Sequence, residues 1–287
     1  MITGATGLLG AFLVPFVRAS GGDVSTHGRS GNVDFSFDLT DDLLIRRMLI
    51  EVKPQVIVNL VGLTSVDKCE EDLDLAYRIN VKTVENLVGM LKKIHSTAHF
   101  IQISTDQIYD GTGPHLENQV TIRNHYAMTK YAGELVSACI PSTILRTNFF
   151  GRSKLEKRKS LTDWLFNSLK NGEQIQVFDD VSFNPLSMHS LAKMVCLVAE
   201  KKPIGIYNLG SRSGFSKADF AFVFAESLKL PTACMSRAHS ANMKILKAYR
   251  PKDMRMNCSK IEKELGIELP NLVDEIKSVA REYAEAA

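Results

Sequence analysis

No run of this sequence stays apolar over the roughly 18 to 20 residues that cross a bilayer, so no membrane-spanning helix and no membrane partner are expected. Charge of one sign is also lacking. Lys and Arg number 35 against 32 Asp and Glu, and the net charge of +3 is too small to predict nucleic acid or an anionic lipid surface as partner. Cysteine is sparse and scattered. Cys69, Cys139, Cys196, Cys234 and Cys258 form no CxxC pair and no cluster with the dispersed histidines, so neither a metal site nor a disulfide framework is expected. Reduced thiols and a cytoplasmic location follow from that pattern. Repeats and low-complexity segments are absent. Glycines begin at Gly4, which argues against a secretory leader. Only Met1, Ile2 and Thr3 precede them, so the first strand is expected to be short or the natural chain to begin earlier.

What is present is an alternation of strand and helix signals. Helix is expected over residues 8–19, with Pro15 loosening it. A second strand follows at 23–27. Thr40 or Asp41 caps a helix carrying Leu43, Leu44, Met48 and Leu49. The β-branched run 56–61 reads as a strand buried on both faces, and one long helix is expected over 74–93. Strand 100–104, helix 126–139 and strand 142–146 complete this half. The second half is less regular: helices near 161–169, 190–200, 217–228, 259–265 and 272–283, and strands at 175–178 and 205–209. Trp164, between Leu161 and Leu165, is expected in the core, and residues 283–287 as a frayed tail. The pattern predicts an α/β fold, a Rossmann-type doubly wound parallel sheet with a smaller C-terminal substrate-binding lobe. Residues 1–150 form the dinucleotide domain, with later returns at about 175–210. Residues 151–287 form mainly the substrate lobe, as a discontinuous unit.

Gly4, Gly7 and Gly10 give G-x-x-G-x-x-G between the first strand and the first helix. Such a turn lets backbone approach a pyrophosphate, and the helix start offers free N–H groups to it. Gly4, Thr6, Gly7, Leu8 and Leu9 are therefore candidate cofactor ligands. Dinucleotide enzymes that use NAD often place an acid at the end of the second strand to hold the ribose 2′-hydroxyl. Here the segment reads Thr26-His27-Gly28-Arg29-Ser30, with no acid. Arg29 and Ser30 suit a 2′-phosphate, so NADP(H) is favoured over NAD(H). Asp38 and Leu39 are expected to flank the adenine, and Leu60, Val61 and Gly62 to line the cofactor.

Tyr126 and Lys130 stand four residues apart on a predicted helix and so share a face. A phenol ordinarily titrates near 10, and a neighbouring ammonium favours its phenolate. Thr105, at a strand end after Ser104, offers a hydroxyl to a substrate oxygen. The trio Thr105, Tyr126 and Lys130 predicts hydride transfer to a carbonyl with Tyr126 as proton donor, and Tyr126 and Lys130 also contact the nicotinamide ribose. The basic run Arg152, Lys154, Lys157, Arg158 and Lys159 reads as a solvated loop or as a patch for a phosphorylated substrate. Glu70 and Glu71 read as a solvated charged face, with a surface carboxylate cluster for a divalent ion as the alternative.

These motifs resemble the RmlD family, the dTDP-4-dehydrorhamnose reductases among the extended short-chain dehydrogenases. The likeness is carried by Lys53-Pro54-Gln55-Val56-Ile57-Val58-Asn59, Thr64-Ser65-Val66-Asp67-Lys68-Cys69-Glu70, Asn80-Val81, Ser104-Thr105-Asp106-Gln107-Ile108-Tyr109-Asp110-Gly111, Leu145-Arg146-Thr147, Arg250-Pro251 and Asn257-Cys258-Ser259-Lys260. The resemblance implies an NADPH-dependent reductase of a nucleotide-linked 4-keto-6-deoxy sugar. It implies a nucleotide-sugar substrate held by Thr64, Val66, Asp106, Asn148, Phe149 and Arg250, and a homodimer as a candidate assembly. Asn148-Phe149 departs from the family's Ser-Trp, and Phe183 to Ser187 follows its substrate-side segment loosely, so a different sugar is compatible. Gln107 stands where related dehydratases carry an acid, which disfavours dehydration. A nucleotide-sugar epimerase and an NADP-binding regulatory subunit, like the β subunit of methionine adenosyltransferase, remain the alternatives.

Overall fold

The computed structural model describes residues 1–243 and 245–285. The chain begins with β1 (Ile2–Thr3), α1 (Leu8–Ala19), β2 (Thr26–Gly28), β3 (Phe35–Ser36), α2 (Asp42–Val52) and β4 (Val56–Asn59). Three helices follow, α3 (Val66–Glu71), α4 (Leu73–Tyr77) and α5 (Thr83–Lys93). Then come β5 (His99–Thr105), α6 (His125–Ser137), β6 (Ser142–Thr147) and β7 (Phe149–Phe150). The rest holds α7 (Leu161–Lys170), β8 (Ile175–Phe178), β9 (Ser182–Phe183), β10 (Leu186–Ser187), α8 (Met188–Lys201) and β11 (Gly205–Leu209). It ends with β12 (Phe215–Ser216), α9 (Lys217–Ser227), β13 (Met235–Ala238), α10 (Ser259–Leu265) and α11 (Leu272–Ala284).

Seven strands form one sheet in the order β11-β6-β5-β4-β1-β2-β3. Ile2 pairs in parallel with Thr26 on one side and Val58 on the other, and Val58 pairs with Ile101. The order turns back at β1 and β4, the place where such sheets open a crevice at their carboxyl ends. This is the doubly wound sheet expected from the alternation. The first strand is indeed short.

By contact density the chain divides into two units. The first comprises Met1–Thr105, Asn124–Arg146 and Ala192–Tyr207; the second comprises Asp106–Arg123, Thr147–Leu191 and Asn208–Ala287. In the first unit, Ile45, Met48 and Leu49 of α2 pack with Leu87, Val88 and Leu91 of α5 and with Ile57 and Phe100 of the sheet. Asp41, not Thr40, caps α2, its carboxylate accepting from the N–H groups of Leu43 and Leu44 at 3.0 Å each. Helix α2 carries Leu43 and Leu44 as expected, 80% and 38% exposed. The inward stripe runs through 45, 48 and 49, which turns 43 and 44 outward.

The long helix expected over 74–93 is broken into α4 and α5 by a π turn at Arg78–Lys82. Asn80 sits within that turn, 1% exposed. A π turn widens the helix by a residue and re-aims its side chains, an effect no hydrophobic period announces.

The second unit has its own core. Phe150 meets Phe220 edge-on with centroids 4.8 Å apart, and Phe224 meets Tyr283 likewise at 5.5 Å. Tyr283 is not frayed. Helix α11 continues to Ala284, and the Tyr283 hydroxyl donates to Asp163 Oδ1 at 2.6 Å; Ala286 and Ala287 lie outside the described residues. Trp164 is 40% exposed rather than core, because Leu165 and Leu169 carry the buried stripe of α7.

One buried ion pair ties α6 to the sheet. Glu134 and Arg146 are each 1% exposed. Arg146 Nη2 donates to Glu134 Oε2 at 2.7 Å and Nε to both oxygens at 3.1 Å, while Ser104 Oγ donates to Oε1. Removing one partner strands the other charge away from water. Glu134→Ala is expected to cost roughly 3–5 kcal/mol in denaturant unfolding, with Glu134→Leu/Arg146→Met recovering most of it.

Candidate active site

Helix α6 is started by Asn124, whose side chain accepts from the Ala127 N–H at 2.8 Å. Glu70 joins this cap by accepting from the His125 N–H at 3.1 Å, so that carboxylate holds the helix start. The result fixes Tyr126 and Lys130 on one inner face. Tyr126 is 7% exposed and packs with Cys69, Ala76, Leu63 and Val66. Lys130 is 5% exposed, and its ammonium donates to the Ile103 carbonyl on β5 at 2.7 Å. Burial pushes the Lys130 ammonium down to about 8, with the Glu134 carboxylate and Cys69 pulling the other way. Thr105 closes the same strand, 4% exposed.

The π turn supplies a residue that sequence reasoning placed only by likeness. Asn80 Oδ1 accepts from the Leu63 N–H at 2.7 Å, and its amide donates to Thr129 Oγ1 at 3.0 Å. It therefore joins the loop after β4 to helix α6. Gly62 lies in that joint. A Cβ there would stand 3.4 Å from Asn80 Oδ1 and 3.7 Å from Lys130 Nζ. Gly62, Leu63, Asn80 and Lys130 thus form one wall of the first unit. Thr64 is exposed and Val66 half-buried beside it.

The glycine turn has the shape a dinucleotide needs. Gly4 has φ +74°, and a Cβ on it would come within 2.9 Å of the backbone at Leu60 and Val61. A Cβ on Gly10 would come within 2.5 Å of the Ala5 carbonyl oxygen. Gly7 caps α1 with no side chain bonded to the first amides, leaving Leu8 and Leu9 at an open helix start. Thr6 packs against Gly28 and Gly31, so the first turn touches the loop bearing Arg29 and Ser30, both exposed. Asp38 accepts from the Thr40 N–H and hydroxyl, and Leu39 is buried in the core, which restricts its side chain to packing. His27 is 1% exposed and donates to or accepts at no partner through Nδ1; burial lowers its pKa. These features fit NAD(P).

In the second unit the structure brings two of the expected substrate residues together. Asn148 Nδ2 donates to Asp106 Oδ2 at 2.7 Å. Phe149 is half-buried at the start of β7, and Arg250 Nη1 donates to the Ala248 carbonyl at 2.9 Å. Among the described residues, the ligand atoms of Asp179, Asp180 and His239 lie within 4.8 Å of one another. Asp180 there is already held by the Lys252 ammonium at 2.5 Å and by Ser240.

A family model described as the RmlD substrate binding domain matches residues 1–285. The chain belongs to the RmlD family. Its likeness to NAD(P)-dependent oxidoreductases of this family, within the extended short-chain branch, supports oxidoreductase activity. Among its relatives, dTDP-4-dehydrorhamnose reductase of Aggregatibacter actinomycetemcomitans is 28% identical over 99% of both chains. Methionine adenosyltransferase 2 subunit beta of Mus musculus is 26% identical over 93% of this chain and 82% of that one. The crystal structure of a dTDP-4-dehydrorhamnose reductase from Clostridium acetobutylicum superposes with a TM-score of 0.87 at 25% identity, covering 99% of this RmlD-family chain and 98% of that one.

The depressed Lys130 gives a signed expectation. Its folded value of about 8 lies below the ordinary 10.5, so turnover that needs the ammonium should fall as pH rises through about 8. Between these values the unfolded chain binds more protons at Lys130 than the fold does, so this residue's contribution to stability grows with pH. A rate profile with a falling limb near pH 8 and no accompanying loss of melting temperature is expected. A rate flat to pH 10 would remove Lys130 from the reaction.

Proposed function

We propose that this protein is an NADPH-dependent reductase of a nucleotide-linked 4-keto-6-deoxy sugar. The observation that carries the reading is the buried Lys130 ammonium, held on the Ile103 carbonyl one helical turn from Tyr126. Gly4, Gly7, Leu8 and Leu9 would receive the pyrophosphate, and Arg29 and Ser30 the 2′-phosphate. A bound nicotinamide supplies hydride to the carbonyl carbon of the sugar. Thr105 holds the carbonyl oxygen, and Tyr126 gives that oxygen its phenolic proton. Lys130 stabilises the phenolate left behind, which then regains a proton from solvent. Thr64, Val66, Asp106, Asn148, Phe149 and Arg250 would contact the nucleotide sugar. The sheet, the glycine turn and the likeness to named reductases support this reading together.

A second reading is favoured by the similarity to methionine adenosyltransferase 2 subunit beta, a named subunit of another enzyme. In it the dinucleotide site is kept and the partner, not a sugar, is the target. Turnover separates the two. Purified protein mixed with NADPH and a panel of dTDP-, UDP- and GDP-linked 4-keto-6-deoxy sugars should consume NADPH with one of them, and Tyr126→Phe should abolish that consumption. Tight NADPH binding without turnover on any sugar would favour the subunit reading. Arg29→Ala should raise the KM for NADPH roughly ten- to a hundredfold, as loss of a charged hydrogen bond does, and leave that for NADH nearly unchanged. Equal effects on both cofactors would count against the 2′-phosphate assignment.

A further inference from the structure

The second unit contains a cation that the expected chemistry does not use. Lys217 opens helix α9, directly after the two-residue strand β12, which pairs antiparallel with β9 so that Phe215 faces Phe183. Its own N–H donates to the Val181 carbonyl at 2.8 Å, which fixes the backbone. Its side chain is half-buried, and the ammonium stands 5.3 Å over the Phe183 ring. No hydrogen bond or ion pair of that ammonium occurs among the described residues. Burial lowers its pKa, with the Arg250 guanidinium adding to that and the Asp106 carboxylate opposing it. A half-buried lysine normally finds a carboxylate, because an unpaired charge out of water is costly. Asp106, an acid whose field reaches it, is bonded to Asn148. The charges of Arg250 and of Asp106 thus both act on the Lys217 ammonium.

We propose that Lys217 is a substrate-binding residue that takes an anionic oxygen group of the substrate, a phosphate or a carboxylate, in a subsite it shares with Arg250. The face of Phe183 holds the ammonium in place before the ligand arrives, so part of the ordering cost is met in the fold. The identity of the anion's carrier rests on the reductase reading: in a nucleotide sugar, the diphosphate or an acid on the sugar supplies it.

The test is calorimetric binding to the full-length, NADPH-loaded protein, which needs no turnover. The probes are UDP, uridine, UDP-glucose and UDP-glucuronate, with dTDP and thymidine alongside. The variants are Lys217→Met, which keeps an apolar stem on Phe183, and Lys217→Arg, which keeps the charge. Lys217→Met should weaken binding about tenfold or more, leave NADPH affinity unchanged and not lower the melting temperature; Lys217→Arg should restore most of the loss. A loss shared by UDP, dTDP and UDP-glucose but not by the nucleosides identifies the diphosphate as the source. A loss confined to UDP-glucuronate identifies the sugar carboxylate. Lys217→Met that binds every probe like the parent, or a parent that binds none, overturns the proposal. A protein that binds through Lys217 yet reduces no sugar would overturn the reductase reading and leave the subsite standing.

Discussion

The first unit depends on a carboxylate buried between a helix and two strands. Glu134 takes two guanidinium donors from Arg146 on β6 and the hydroxyl of Ser104 on β5, all out of water. Ser104 precedes Thr105, and Glu134 lies one turn beyond Lys130. The pair therefore sets the distance between the strand end that carries the Thr105 hydroxyl and the helix that carries the Tyr126 phenol and the Lys130 ammonium. Apolar contacts at this place would stabilise as well, but they would slide. Directional charge-assisted bonds fix the helix along its axis as well as against the sheet. The same carboxylate opposes the burial that drains charge from Lys130, so one group serves both position and protonation.

A second polar chain runs beneath the sheet's carboxyl end. The Thr3 hydroxyl donates to Asn59, whose amide donates to Gln102, joining β1, β4 and β5 side by side. Asn59 Oδ1 also accepts from the Val61 N–H, so the loop leaving β4 is held from its first step. Each of these side chains is satisfied, and a satisfied buried network specifies one register where greasy strands alone would tolerate several. That precision reaches Gly62 and Leu63, which Asn80 then clasps from the other side.

Much of this was readable from residues. The β-branched run 56–61, of which the strand takes Val56–Asn59, the glycine turn and the four-residue spacing of Tyr126 and Lys130 each follow from one local rule. What escaped depends on neighbours distant in sequence. Which way Leu43 and Leu44 face is decided only where the stripe through Ile45 and Met48 meets α5. Trp164 is large and apolar, yet the space beneath α7 is filled by Leu165 and Leu169. Tyr283 looks like a tail residue because its partner, Asp163, lies more than a hundred positions earlier. Glu134 reads as an ordinary helix-surface acid, and only the fold reveals that Arg146 is beside it. Lys217 is hidden for the same reason: nothing in Ser216-Lys217-Ala218 signals that its ammonium will lie over the Phe183 ring.

The π turn at Arg78–Lys82 has a consequence for how this segment tolerates change. It stores one residue more than a regular helix would hold between Tyr77 and Thr83. Each residue of an α-helix advances the side-chain direction by about 100°. A single deletion within the turn that relaxed it to ordinary helix would leave Val84, Leu87 and Leu91 facing the core, because the wider turn already absorbs the extra residue; a deletion inside α5 would instead rotate the residues before it relative to those after it by about a quarter of a circle. Length is therefore constrained more tightly within α5 than within the turn. A deletion inside α5 is thus felt as a change of facing, whereas one in the turn is felt through Asn80 at the loop after β4.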